Sequence, residues 1–111
     1  MSAARQVLLD LAERCEREEP SRVLNEAIER AIHSGGPFPI TTAPYTTSLD
    51  AAVTLVPAGW IYRLGSFAEE GTHWAELNQP MHGATTESDR LAKSVALALC
   101  AAALRARAET L

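Results

Sequence analysis

One run near the C-terminus constrains this chain more than any other. Residues Val95–Leu104 are apolar without a break, and Arg105 and Arg107 follow them. At helical spacing, Leu91, Val95, Ala98, Leu99 and Ala102 make one stripe. Leu97 and Leu104 make a second stripe on roughly the opposite side. A helix that is apolar on two sides is buried from two directions. It is therefore either central in its domain or shared with a partner subunit, which makes Leu97 and Leu104 candidate interface residues. The run is about half the length needed to cross a bilayer, so no membrane span is expected. Thr86 is assigned as its N-cap, with Asp89 three residues on as the capping-box partner. The two arginines suit the negative end of the helix dipole.

The first half of the chain is also helical in pattern. Residues 3–18 place Ala4, Val7, Leu8, Leu11 and Cys15 on one face, with Asp10–Arg14 and Glu13–Arg17 as acid-then-base pairs four apart. Pro20 breaks this helix and Ser21 can cap the next. Val23, Leu24, Ala27, Ile28, Ala31 and Ile32 continue the spacing to about His33. Gly35 and Gly36 stop it, and residues 35–45 read as a rigid connector with Phe38 and Ile40 turned onto the core. A third helix starts at Thr47, with Asp50 in its first turn. It buries Leu49, Ala52, Val53 and Val56, is flanked by Leu55, and ends at Pro57 and Gly59.

The pattern then changes period. In residues 60–67, Trp60, Tyr62 and Leu64 alternate with Ile61 and Arg63, as a strand requires. Ala68–Thr72 is a turn, and His73–Asn78 is the returning strand, with Trp74 and Glu76 on one side. Residues 79–88 read as a polar loop. The order is thus α-α-α-β-β-α in one domain over residues 1–111. This is an α+β fold in which helices sandwich a small antiparallel hairpin sheet. Two strands alone are marginal in water, so dimerisation could complete the sheet.

The residues also carry a family resemblance. The run Tyr45–Trp60 (YTTSLDAAVTLVPAGW), the aromatic hairpin after it and VALALCAAALRAR resemble the phage alpha-beta-alpha sandwich domain, a family of small phage and prophage proteins. The segment LAERCEREEPSRVLNEAI resembles the opening of those proteins. The most specific parts are Tyr45, Ser48–Asp50, Leu55–Pro57, Gly59-Trp60 and Ala98–Arg107. The chain departs at Asn25, where the family pattern has an aspartate, and in the loop after the hairpin. The resemblance implies phage or prophage origin and a three-layer helix–sheet–helix arrangement. It implies no activity and carries over no functional residue.

Residue chemistry narrows the function classes further. No CxxC, HExxH or paired-histidine spacing is present, so neither a metal nor a cofactor is expected. No Gly-x-Ser-x-Gly turn marks a nucleophile, and Cys100 sits inside an apolar helix. Cys15 and Cys100 read as buried thiols of a reduced, cytoplasmic protein. Glu69, Glu70 and Glu76 read as solvated carboxylates. The chain is therefore expected to be no enzyme. Trp60, Tyr62 and Trp74, with Arg63 beside them, could stack single-stranded bases. A net charge of -4 opposes that reading. Protein binding is the leading expectation, both as a homodimer and with an unidentified phage or host protein. The candidate surface is Trp60, Tyr62, Arg63, Trp74, Leu97 and Leu104.

Overall fold

The computed structural model describes residues 3–33 and 42–111. Most of the expected connector, including Gly35, Gly36, Phe38 and Ile40, lies outside them. The chain runs α1 (Ala3–Arg17), α2 (Arg22–Ile32), α3 (Leu49–Val53), β1 (Ile61–Phe67), β2 (Thr72–Gln79), β3 (Ala84–Glu87) and α4 (Val95–Glu109). The fold is α+β, with an antiparallel sheet of order β1-β2-β3 and the helices in the expected order.

Helix α4 occupies the centre, as its two apolar stripes require. Every residue from Ala96 to Leu104 is at most 2% exposed. Helix α1 packs on one side of α4, the sheet on another, and α3 against a third part of its surface. Alanines make this packing close, because they let neighbouring backbones approach α4 all round. Leu97 and Leu104 are fully buried by the chain's own elements. This corrects their assignment to an interaction surface, since the second stripe already has its cover.

The layering differs from the expectation too. Helix α4 covers one face of the sheet, and α1 lies beyond α4 rather than across the sheet. Among the described residues no helix covers the other face. The reason is legible in β2, whose outward residues Trp74, Glu76 and Asn78 are polar or amphipathic, whereas Ala75 and Leu77 on the α4 side are buried.

A third strand replaces part of the expected polar loop. Residues Ala84–Glu87 pair with Glu76–Gln79 after a turn closed by Gly83, whose φ is 71°. Thr86 is thus a strand residue, and its hydroxyl donates to the Ala102 carbonyl of α4 (2.9 Å). The true N-cap of α4 is Ser94, which accepts from Leu97 N–H (3.0 Å). Two further corrections concern helix starts and faces. Ser48, not Thr47, caps α3 by accepting from Ala51 N–H (3.2 Å). After Val53 the chain continues as turns rather than α-helix, so the helical spacing lapses. Leu55 becomes the fully buried residue while Leu49 is exposed.

Polar groups lock the layers together. Glu16 of α1 is buried and accepts from both Arg105 amino groups (2.6 and 2.7 Å) and from Asp89 N–H (2.5 Å). Thr46 is fully buried and joins two helix starts. Its hydroxyl and its N–H both donate to Asn25 Oδ1 (2.8 and 2.9 Å), and its carbonyl accepts from the Ser94 hydroxyl (3.1 Å). Both bonds to Asn25 use the amide oxygen alone, so an aspartate could accept the same pair. Arg107 reaches across to donate to the Leu55 carbonyl (2.7 Å) at the end of α3, rather than serving only its own helix end.

Candidate interaction surface

The strand register sorts the sheet's side chains into two sets. Ile61, Arg63, Gly65 and Phe67 stand beside Asn78, Glu76, Trp74 and Thr72. Glu76 and Asn78 in turn stand beside Glu87 and Thr85. Alternation puts all of these on one face, opposite the buried Ala75, Leu77 and Thr86. This is the open face, and it holds Arg63 and Trp74 together.

Trp74 owes its position to Gly65. A methyl group built on Gly65 would collide with the indole at Nε1, Cε2 and Cζ2. The glycine is therefore a seat for the ring, and a strand glycine at such a place marks close approach by a neighbour. Beside it, Arg63 donates to Glu76 through Nη2 (2.5 Å) and Nε (3.2 Å). Glu76 also faces Glu87 directly across the strands, a like-charge pair that Arg63 partly offsets. Arg90 lies over the Phe67 ring, 5.8 Å from its centroid, within cation–π range. Between these groups lies a hollow of about 400 Å³, lined by Arg63, Phe67, Trp74, Ala75, Glu76, Glu87, Ser88 and Arg90.

The rest of the expected aromatic platform is dispersed. Trp60 precedes β1 and is buried in the core. Tyr62 has the opposite parity from Arg63 and Trp74, though it remains 42% exposed near the sheet edge. The three aromatics therefore present no common stacking face, because only Trp74 belongs to the open set. Sequence reasoning missed Phe67, Glu87 and Arg90. Phe67 was recoverable, since it shares parity with Arg63. Glu87 and Arg90 required the third strand.

Other polar clusters lie elsewhere. Ser66 Oγ and His73 Nδ1 are 2.7 Å apart as an exposed cross-strand pair. Glu29 is buried between the Tyr45 hydroxyl (3.1 Å to each carboxylate oxygen) and His33 Nε2 (2.8 Å). Burial and the Glu29 carboxylate push the Tyr45 hydroxyl up to about 12. The Cys100 thiol donates to the Tyr45 carbonyl (3.2 Å). The neighbouring Cys15 thiol and burial push its ionisation well up, so it stays a thiol. Among the described residues no three His, Cys, Asp or Glu side chains converge to hold a metal ion, and no helix is long and apolar enough to cross a membrane. No family model, curated protein or solved structure matches the chain.

Proposed function

We propose that this chain is a non-enzymatic accessory protein of phage or prophage origin that works by binding another protein through the open face of its sheet. The observation that carries the reading is the hollow between Trp74, Phe67, Arg63, Glu76, Glu87 and Arg90. An aromatic seat rimmed by charges of both signs matches the make-up of protein contact sites, where aromatics and arginine concentrate. The origin rests on the resemblance carried by Tyr45–Trp60 and Ala98–Arg107.

A protein partner is favoured over nucleic acid on charge. Two carboxylates balance the two arginines around the hollow, and the chain is acidic overall. Single-stranded binding has one supporting observation, the shared face of Trp74 and Arg63. A low-salt oligonucleotide titration that leaves tryptophan emission unquenched removes it.

The main reading is tested by affinity capture from cells carrying the source phage. Wild-type protein is expected to retain a stoichiometric protein that Trp74→Ala loses, with far-ultraviolet circular dichroism unchanged. Turnover of a substrate, abolished by changing one polar residue such as Ser66, would overturn it.

A further inference from the structure

We infer that the free edge of β1 is a self-association site, on which a second copy of this chain pairs antiparallel about Leu64. The inference does not depend on what the open face binds.

The two edges of the sheet are built differently. Strand β3 has four residues, and Arg105 Nη1 takes up its Glu87 carbonyl (2.9 Å). Strand β1 has seven residues, forms an unbroken ladder with β2, and pairs with nothing else among the described residues. Exposed edges are usually blunted by proline, a bulge, lysine or short length. β1 is long and has no proline, bulge or lysine; its one charge, Arg63, is paired with Glu76 on the open face, and Ile61 and Tyr62 at its start are 57% and 42% exposed.

The hydrogen-bond pattern fixes which groups are on offer. His73 N–H donates to the Ala92 carbonyl, and Ser88 N–H donates to the Ala75 carbonyl. The backbone of His73 and Ala75 therefore points away from β1. By alternation, Thr72, Trp74, Glu76 and Asn78 point towards β1 and bond Phe67, Gly65, Arg63 and Ile61. That leaves the N–H and C=O of Tyr62, Leu64 and Ser66 directed outward at the edge.

A two-fold axis between the Leu64 residues of two copies matches these groups one to one. Leu64 pairs with Leu64, and Tyr62 with Ser66, giving about six backbone hydrogen bonds. On the open face Ile61 meets Phe67, and Arg63 meets the Gly65 on which the other copy's Trp74 lies. Every residue of the strand is paired. Slipping the register by two residues sets Arg63 against Arg63 in one direction, a like-charge pair, and Gly65 against Gly65 in the other. Helix α4 lies mainly across β2 and β3, and Leu64 packs only in part against the core, which leaves the outer side of β1 to a neighbour. The product is a six-stranded sheet with an isologous interface.

Sedimentation equilibrium of the full chain tests this. The expected mass is twice the 12.0 kDa of one chain, falling towards one chain on dilution. Leu64→Lys, which sets like charges on the axis, should leave a folded monomer by circular dichroism. Leu64→Cys keeps the edge apolar and should form an intermolecular disulfide under mild oxidant. Its Cα separation would be about 5.5 Å, inside the disulfide range. Ile61→Cys should cross-link far less, because Ile61 faces Phe67. A single-chain mass at all concentrations overturns the inference. So does a dimer that survives folded Leu64→Lys, or equal cross-linking at positions 61 and 64.

Discussion

Replacing Glu16 by glutamine is expected to destabilise the protein by about 2–3 kcal/mol. The carboxylate is 7% exposed on its side chain, Arg105 is 25% exposed, and three N–H donors from two other parts of the chain converge on its two oxygens. A glutamine of the same shape has one acceptor and one donor end. With its oxygen at the Oε2 position the acceptor can still hold Asp89 N–H and one Arg105 N–H, but the donor end must then face the other Arg105 N–H and the charge is lost. Breaking a fully buried ion pair costs roughly 3–5 kcal/mol. Partial exposure of Arg105 lowers that figure, because water and the Glu87 carbonyl still serve the guanidinium. Urea denaturation followed by circular dichroism measures the loss. For a chain of this length it corresponds to a fall in Tm of roughly 10 °C. A double-mutant cycle with Arg105→Gln should give a coupling of at least about 1.5 kcal/mol. A loss under about 1 kcal/mol, with negligible coupling, would refute the claim that this ion pair ties α1 to α4 and to the segment carrying Glu87–Arg90.

Further outcomes follow from other contacts. Gly65→Ala should evict the indole, shift tryptophan emission to longer wavelength and cost about 1–3 kcal/mol; an unchanged spectrum would mean that Trp74 does not lie on Gly65. The neutral Tyr45 hydroxyl is favoured in the fold, with its ionisation raised from 10.0 to about 12. Its contribution is therefore complete below pH 10 and is lost as pH rises towards 12. Wild-type stability should fall faster than that of Tyr45→Phe across that window in pH-dependent urea melts. Ser94→Ala should remove the α4 cap and cost about 1 kcal/mol in the same melts, whereas Thr86→Val should leave the helix start intact.

Much of the fold was legible because period and burial agree. The two stripes of α4 announced a helix covered from both sides, and Ser21 and Pro20 placed the start of α2. Failures arose where one residue type serves two roles. Thr86 with Asp89 imitates a capping box, yet threonine also suits a strand, and pairing with Leu77 decides the matter. Thr47 and Ser48 are equivalent caps on paper, and only the backbone selects the second. On α1 the buried set is Leu8, Leu11, Ala12, Cys15 and Glu16, one step round from the expected stripe. Glu16 is buried because its partner Arg105 lies 89 residues away, a pairing no local pattern reports. The candidate surface was half legible for the same reason. Arg63 and Trp74 follow from alternation, whereas Glu87 and Arg90 depend on a strand that the sequence disguises as a loop.

Hydroxyl-radical footprinting of the protein with its captured partner tests the central claim most directly. Trp74 and Phe67 should be protected in the complex, while Met81, 89% exposed on the β2–β3 turn, and Val23, 69% exposed on α2, stay fully labelled. Unchanged labelling of Trp74 and Phe67 in a complex that protects Val23 would contradict the assignment of the open sheet face as the binding surface.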